Sequence, residues 1–466
     1  MKHYKVAIIG GGPGGYVTAL RLKQYDIDSV VFEKERLGGV CLNWGCIPTK
    51  TLVKTAELFT EVKEAYDFGI RLDNPEIDFT QIYKRKDEVV EKLVGGIEFM
   101  FKKLELPLIN ALVTKITKKD DLFHIFSQDQ EEVTADFVIL ATGSKPTELP
   151  FMKFDHKKIL SSKDILQLKE LPKTLAVVGG GVIGCEFASI FQQLGTQVTI
   201  IEFLPRLLAG EDEEISKRIG MAFKRNKMKL ILKKGVKEYE ETDSGVKLTL
   251  TDDKSLEVDQ VLVSVGRTPS CNIEFENLEL KMNKGAIEVD EYMRTDVENL
   301  YVIGDLNGKQ LLAHTASKQG LLVAELIKSE LEENPHEVSP IVYENVPRCT
   351  FTNPEVASVG LTEEQAKEKY GEILVGKFPY TASGKAMGMG NTFGFAKTIA
   401  DAKSQKIVGM HIIGLQASEL IAEGGILIGK EATIHDVEKI VFAHPTLSEI
   451  VMESIEDTIS LSVHKI

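Results

Sequence analysis

Cysteine and tryptophan are scarce in this chain of 466 residues, which contains 5 cysteines and 1 tryptophan. Cysteines this few, scattered over positions 41 to 349, exclude a small secreted scaffold held together by disulfides. The sequence also lacks an apolar run of the roughly 18 residues that span a membrane, and its N-terminus has no signal-peptide pattern. We therefore expect a cytoplasmic protein with no membrane partner.

Positively charged residues are fewer than negatively charged ones. The chain has 56 lysines and arginines and 70 aspartates and glutamates, which gives a net charge of −14. Such a surface repels a phosphate backbone, so nucleic acid is excluded as a partner. The hydrophobic fraction of 43% and the charged fraction of 27% are those of a globular protein. At roughly 150 residues per domain, the length predicts about three domains.

The first motif is a glycine turn between a strand and a helix. An apolar run over residues 4–9 leads into Gly10-Gly11-Gly12-Pro13-Gly14-Gly15, and a helical pattern continues to about residue 24. A second strand, residues 29–32, ends at Glu33. Glycines there let the backbone approach a pyrophosphate at a helix N-terminus, and the acid can bind a ribose hydroxyl.

The same unit occurs a second time. The offset is 169 residues for the first glycine (179 − 10) and again for the acid (202 − 33). We therefore predict an α/β fold with two Rossmann-like dinucleotide-binding domains. One would bind a flavin and the other a nicotinamide, because hydride transfer needs a donor and an acceptor. The alternative is a pair of glycine turns that pack helix on sheet without a ligand.

Cys41 and Cys46 lie close together in a segment that ends in Pro48-Thr49-Lys50. Four intervening residues allow a disulfide if the segment turns through one helical twist. A helix N-terminus with Lys50 nearby would lower the pKa of a thiol. The alternatives are half of a zinc site or two inert buried thiols, and we expect no metal because no second pair of ligands lies nearby.

The segment of residues 39–50, set between two dinucleotide folds, resembles the flavoprotein disulfide reductases, and most closely their dihydrolipoamide-oxidising branch. The resemblance covers essentially the whole chain. Further matching motifs are Ala141-Thr142-Gly143, Val265-Gly266-Arg267-Thr268-Pro269, Ile303-Gly304-Asp305, Leu312-Ala313-His314 and Ala443-His444-Pro445-Thr446-Leu447-Ser448-Glu449. The resemblance implies FAD and NAD as cofactors and a C-terminal α+β dimerisation domain.

The resemblance also implies catalytic roles. Cys41 would be the thiol that exchanges with substrate, and Cys46 the thiol against the flavin. Lys50 would pair with Glu186 near the flavin. His444, oriented by Glu449, would take the proton of the incoming dithiol, as an imidazole with a carboxylate partner does near neutral pH.

The remaining matched positions are expected to bind the cofactors. The residues expected to bind FAD are Gly10, Gly12, Gly14, Gly15, Glu33, Gly39, Lys50, Val113, Ala141, Thr142, Gly143, Asp305, Leu312, Ala313 and His314. Val113 is included only because it lies near Ala111 in the aligned segment. The NAD set is Gly179, Gly181, Val182, Ile183, Gly184, Glu186, Glu202, Gly266 and Arg267.

The sequence favours NAD over NADP, because Glu202 would repel a 2′-phosphate and Arg206 is a lesser match to a phosphate clamp. Electrons are expected to pass from protein-bound dihydrolipoamide to the cysteine pair, to FAD and then to NAD. Phe442 replaces a histidine that is common in this branch. Two alternatives stay open: another NADH-linked disulfide reductase, and an NADH oxidase or diaphorase.

We expect four regions: an FAD-binding domain over residues 1–146, an NAD-binding domain over 147–271, a central domain over 272–340, and an interface domain over 341–466. The interface domain is expected to begin with a strand at residues 341–343. The resemblance implies a homodimer in which the dyad of one chain reaches the disulfide of the other. It also implies a lipoyl-bearing protein as partner.

Overall fold

The computed structural model describes residues 2–129 and 132–465. The chain divides into two compact units, each assembled from three separate stretches. Residues 1–51, 80–147 and 266–341 form the first unit, and residues 52–79, 148–265 and 342–466 form the second.

The α-helices of the described residues, numbered α1 to α12 in chain order, are Pro13–Gln24, Gly39–Trp44, Cys46–Glu64, Phe79–Lys103, Val182–Leu194, Glu213–Arg225, Ala313–Leu331, Glu363–Tyr370, Gly384–Gly388, Ala417–Gly429, Ile434–Val437 and Ser448–Glu456. Over the same part of the chain, no helix is long and apolar enough to cross a membrane.

The strands, numbered β1 to β25 in the same way, are Lys2–Ile9, Ser29–Phe32, Leu108–Ile109, Val113–Lys119, Leu122–Ser127, Glu132–Leu140, Ser144–Pro146, Ile159–Leu160, Thr174–Val178, Gln197–Glu202, Lys229–Leu232, Val236–Glu241, Val246–Leu250, Ser255–Val258, Gln260–Val263, Arg267–Pro269, Glu274–Glu276, Met282–Asn283, Ala286–Ile287, Leu300–Val302, Arg348–Thr350, Glu355–Gly360, Ile373–Pro379, Phe395–Asp401 and Ile407–Gly414.

The main sheet of the first unit has the strand order β17-β4-β5-β6-β1-β2-β3, and β20 also pairs with β6. β1 lies parallel to β2 and to β6. Residues 6–9 of β1 are all buried, as the unbroken apolar run predicts for a strand covered on both faces. The turn between β1 and α1 therefore lies at the carboxyl end of a central parallel strand, where α/β sheets bind ligands.

The second unit contains a parallel sheet of order β11-β10-β9-β15-β8 and a small antiparallel sheet of β12, β13 and β14. It also contains an antiparallel sheet of order β21-β22-β25-β24-β23. Ile421 of α10 and Ile450 of α12 are buried in the same core as Ile412 of β25. The predicted fold class, with two dinucleotide-type folds and a C-terminal α+β domain, is confirmed.

The predicted strand at residues 341–343 is wrong. Tyr343–Asn345 form a 3₁₀ turn, and the first strand of this region is β21. Val342 is 57% exposed, so the apolar alternation there has no layer to pack against. The two units also cut across the predicted regions, since most of residues 1–146 and 272–340 share the first unit, while residues 52–79 belong to the second. The four-domain division stays a prediction.

Candidate active site

The first glycine turn is closed too tightly for side chains at two positions. Gly10 has a φ of +113°, and a Cβ there would lie 2.4 Å from the carbonyl oxygen of Ala141. A Cβ at Gly15 would lie 1.8 Å from the carbonyl oxygen of Gly10. Only glycine fits these two positions, because helix and strand approach each other through bare backbone.

The second turn repeats this geometry in the second unit. Gly179 has a φ of +110°, and a Cβ there would lie 2.5 Å from the carbonyl oxygen of Ser264. A Cβ at Gly184 would lie 2.0 Å from the carbonyl oxygen of Gly179. The offset of 169 residues in the sequence therefore corresponds to the same local structure built twice.

A backbone N–H group of each glycine turn is hydrogen-bonded to the glutamate at the end of the next strand. The Gly11 N–H donates to Glu33 Oε2 at 2.7 Å, and the Gly180 N–H donates to Glu202 Oε2 at 2.5 Å. The other oxygen of each carboxylate accepts the N–H two residues further on, at 2.8 Å for Glu33 and 2.7 Å for Glu202. A carboxylate offers about four lone-pair sites, so each acid can still accept a ribose hydroxyl.

Both turns have the form of a phosphate cradle. Gly12 and Gly181 are the N-caps of α1 and α5, and neither has a side chain to cap the first-turn N–H groups. A Cβ at Gly39 would lie 2.7 Å from Gly12 Cα, so a side chain there would crowd the first cradle, while Gly181 borders open space. Backbone N–H groups at a helix N-terminus bind phosphate, so both cradles fit a dinucleotide.

The two cysteines lie where α2 meets α3. Cys41 is in α2, and Cys46 is the first residue of α3. Gly45 joins the helices, and a Cβ there would lie 3.0 Å from the carbonyl oxygen of Val40 and 3.3 Å from Cys41 Cα. The segment therefore makes the predicted helical turn that brings the two cysteines together, and both are thiols in this structure.

The two thiols interact. The hydrogen bond with Cys46 raises the pKa of Cys41, and burial raises it further. The charge of Lys50 lowers this pKa, but its effect is smaller. Lys50 therefore acts on the pKa of Cys41 in the expected direction, but the hydrogen bond and burial raise this pKa overall. Cys46, at the first residue of α3, occupies the position that a helix dipole favours for a thiolate.

Asp305 belongs to a partly buried polar cluster of the first unit. The Ser144 hydroxyl donates to Asp305 Oδ2, and Arg267 Nε lies 3.8 Å from the same oxygen. Arg267 donates from Nε to Ser144 Oγ and from Nη2 to the Ser144 carbonyl oxygen, both at 2.7 Å. Arg267 was expected on the NAD side. The structure places it against Ser144 and Asp305, and its contact with NAD stays a prediction.

The other residues expected around FAD differ in accessibility. Thr142 donates its hydroxyl proton to the Ser270 carbonyl oxygen at 2.7 Å, and Gly143 has a φ of +73° with open space beside it. Leu312 is the N-cap of α7, so Ala313 and His314 begin that helix. Val113 is 2% exposed and packs in the core of the main sheet. Its contact with a cofactor stays a prediction.

Glu186 lies in α5 of the second unit and is 4% exposed. Its Oε1 accepts the backbone N–H of Phe351 at 3.0 Å. Lys50 belongs to the first unit, and the Lys50–Glu186 pair stays a prediction. Val182, which follows Gly181 directly, is 44% exposed, so the surface beside the second cradle is partly apolar.

His444 and Glu449 are paired at the start of α12. His444 Nδ1 lies 2.8 Å from Glu449 Oε1, and the Thr446 N–H donates to Glu449 Oε2 at 2.8 Å. Burial acts to raise the pKa of Glu449, but the bonds from His444 and Thr446 outweigh it and hold the pKa below its ordinary value. The His444 side chain is 78% exposed. The predicted pairing is present, and the imidazole is free to meet another molecule.

Comparison with known proteins agrees with this geometry. A family model described as pyridine nucleotide-disulphide oxidoreductase matches residues 4–320, and the model of its dimerisation domain matches residues 346–455. The chain belongs to this family. The Cys41–Cys46 pair lies inside the first match, and the His444–Glu449 pair lies inside the dimerisation domain.

Similar proteins of the family include enzymes of known name. The chain is 38% identical to a dihydrolipoyl dehydrogenase of Chlamydia pneumoniae over 96% of its own length and 95% of the relative's. It is 35% identical to a dihydrolipoyl dehydrogenase of Zymomonas mobilis over 99% of both chains. Among solved structures, the HOCl-induced flavoprotein disulfide reductase RclA of Escherichia coli has a TM-score of 0.85 and 27% identity over 97% of this chain and 99% of its own.

Some residues of the site could not be found from sequence. Tyr16 of α1 is close enough to Cys41 for a charge on that thiol to raise its pKa, in addition to the larger effect of burial. Phe203 follows Glu202 directly and is 74% exposed. A large exposed aromatic beside an expected ribose site is a signal for adenine contact, but it is visible only once burial is known.

Proposed function

We propose that this chain is a dihydrolipoyl dehydrogenase, which oxidises protein-bound dihydrolipoamide and reduces NAD⁺ to NADH. The observation that carries the proposal is the occurrence, in one chain, of a hydrogen-bonded dithiol beside the first dinucleotide cradle and an exposed His444–Glu449 pair in the dimerisation domain. The curated relatives at 35–38% identity over nearly the whole chain support this assignment.

FAD would be held by the first cradle with Glu33 and Asp305, and NAD by the second cradle with Glu202. When bound, the two cofactors supply the hydride chemistry that carries two electrons from the dithiol to the nicotinamide. The carboxylate of Glu202 at the end of β10 favours NAD over NADP, because it would repel a 2′-phosphate. Arg206 donates instead to the Ala209 carbonyl oxygen at 3.2 Å, inside its own loop. Phe203 and Val182 offer apolar surface for the adenine.

The cysteines and the dyad then perform the thiol chemistry. One sulfur of dihydrolipoamide attacks Cys41 in the Cys41–Cys46 disulfide, and Cys46 leaves as a thiolate. The second substrate sulfur attacks the first, which closes the lipoyl disulfide and releases Cys41. His444 accepts the proton that the dithiol must lose, and Glu449 holds the imidazole with Nε2 outward. The hydrogen bond between Cys41 and Cys46 supports their role as one redox pair.

Two chains would build each site. The chain carries a dimerisation domain, and the dyad lies within it with an exposed imidazole. We propose a homodimer in which the dyad of one subunit meets the cysteine pair of the other. The substrate would be the lipoyl group of a partner protein, and the cytoplasmic location stays a prediction.

The test is NADH formation from dihydrolipoamide and NAD⁺ by the purified, FAD-loaded protein. We expect turnover that is lost when Cys46 is replaced by serine. A comparison with glutathione disulfide and NADPH, run in the reducing direction, should give at least a hundredfold lower kcat/KM than lipoamide with NADH. Absence of dihydrolipoamide turnover, with FAD bound and both thiols titratable, would move the assignment to another disulfide substrate.

A further inference from the structure

A second imidazole–carboxylate pair lies on the helix that carries Glu449. After Ser460, which has a φ of +60°, the chain reverses and residues 461–465 return along α12. Glu453 of α12 accepts the Ser462 hydroxyl at 2.6 Å and His464 Nδ1 at 2.5 Å. Lys465 Nζ lies 2.5 Å from Asp457 Oδ2. Two contacts to Glu453 and one to Asp457, just beyond the helix, therefore bind this short segment to α12 and the turn that follows it.

The two carboxylates of α12 are one helical turn apart. Glu449 and Glu453 are separated by four residues, so they occupy neighbouring positions on the same face, where like charges repel. The Glu453 side chain is only 3% exposed, and a buried carboxylate without a partner is strongly unfavourable. The His464 side chain, 71% exposed, is the basic group that the structure places on Glu453.

We propose that His464 is a positioning residue for the catalytic dyad, because its imidazolium neutralises Glu453 and so limits the negative charge that acts on the His444–Glu449 pair. This inference rests on the proposed function for the role of the dyad in catalysis. It assigns a task to residues 461–465, for which neither the sequence motifs nor the family match at residues 346–455 gives one.

The charges around the two pairs agree with this assignment. The hydrogen bond to Glu453 raises the pKa of His464. The charge of His464 is among the effects that lower the pKa of Glu449. Other titratable or charged groups lie on α12 and on the elements packed against it. They are Glu419 and Glu423 of α10, His435, Asp436, Glu438 and Lys439 in or beside α11, Lys377, Lys397 and Asp401 of the neighbouring strands, and Glu456, Asp457 and Lys465. Ser462 and His464 are the hydrogen-bond donors that the described chain supplies to Glu453.

The test is a rescue experiment on the FAD-loaded dimer. In His464→Ala, an unpaired Glu453 carboxylate should stabilise the His444 imidazolium, so the acid limb of the kcat/KM profile should move to higher pH by about 0.5 unit. The double variant E453Q/H464A removes the buried charge as well, and its profile should return to that of the wild type. The shift should shrink at high salt. His156→Ala removes an equally exposed imidazole from Asp164 and should leave the profile unchanged.

An NMR titration of the His444 ring in the same variants gives the pKa without any substrate. This readout separates the inference from the proposed function, because it stands even if dihydrolipoamide is not turned over. A wild-type pKa for His444 in His464→Ala would overturn the inference. So would a shift that persists in the double variant, since the segment would then act by another route than the charge of Glu453.

Discussion

His444 Nδ1 lies 2.8 Å from Glu449 Oε1, and the other oxygen of Glu449 accepts the Thr446 N–H of the same turn. The carboxylate is acceptor only, so Nδ1 carries the proton and Nε2 is the nitrogen left to take one from a substrate. The pair is made within one loop of the chain. The loop therefore presents a preformed base, whatever molecule it meets.

We expect His444→Ala to lower dihydrolipoamide turnover by about 10² to 10⁴, the range in which general bases contribute. Reduction of an artificial dye by NADH does not need this base and should stay near the wild-type rate. The two assays on one protein sample check this. His435→Ala removes another imidazole paired with a glutamate, Glu438 at 3.1 Å, and serves as the control. Equal loss in both assays would contradict the assignment.

A glycine-to-alanine substitution in each cradle should show which cofactor that cradle binds. Gly15→Ala would place a Cβ 1.8 Å from the Gly10 carbonyl oxygen and should lower the flavin content per chain. Gly184→Ala would place one 2.0 Å from the Gly179 carbonyl oxygen and should raise the KM for NAD⁺ with the flavin retained. Gly96→Ala, in open space on α4, is the control. Loss of flavin in Gly184→Ala, with an unchanged KM for NAD⁺, would mean that the second cradle binds FAD and would contradict the assignment of the two cradles.

Glu202 has two tasks that substitutions can distinguish. Glu202→Ala removes both the acceptor for the Gly180 N–H and the expected ribose contact, so the KM for NAD⁺ should rise about 10- to 100-fold, as for a lost charge-assisted hydrogen bond. Glu202→Gln keeps an acceptor for the turn but removes the charge, so it should narrow the preference for NAD⁺ over NADP⁺. Arg206→Ala should leave that preference intact. An unchanged KM in Glu202→Ala would rule out the ribose contact.

A buried lysine supports the second unit. Lys397, 1% exposed, lies 3.0 Å from Asp212 Oδ1 and 2.7 Å from Glu363 Oε2. Lys397→Met leaves the buried Asp212 carboxylate without its lysine, although Glu363 keeps Lys367 at 2.6 Å, and should destabilise the protein by about 3 to 5 kcal/mol. Denaturant unfolding measures this change. Lys237→Met breaks the exposed pair with Asp253 and should leave the midpoint in place. Equal midpoints for the two variants would contradict the role of Lys397.

The same cluster gives a pH dependence with a definite sign. Burial acts to raise the pKa of Asp212, but the charges of His411 and Lys397 leave it below its ordinary value. The stability that Asp212 contributes is therefore present above its unfolded pKa of about 4 and is lost as the pH falls through the lower, folded value. Stability should fall on acidification below about pH 4 in the wild type, and less steeply in Lys397→Met.

The sequence could predict those features that depend on a fixed spacing of residues along the chain. The two glycine turns were predictable because a tight strand-to-helix turn demands glycine at fixed positions, and the offset of 169 residues repeats that demand. The cysteine pair and the dyad were predictable for the same reason, since each lies within six residues of chain. Local geometry of this kind survives without knowledge of the fold.

The features that sequence could not predict are contacts between distant residues. Arg267 bonds to Ser144 across 123 residues, and no spacing in the sequence indicates that pair. The pKa of Cys41 was missed because a hydrogen bond and burial outweigh the visible charge of Lys50. The residues 341–343 alternate like a strand, but burial, which sequence does not give, decides whether a strand forms.

The central claim is that the cysteine pair of one chain and the dyad of another make one dihydrolipoamide-oxidising site. Subunits of Cys41→Ser and His444→Ala, each inactive alone, should be mixed in equal amounts under conditions of subunit exchange. Half of the dimers would then be mixed, and each would contain one intact site, so the rate should recover to about a quarter of wild type. A mixture that stays at the background of the two single variants would contradict the account.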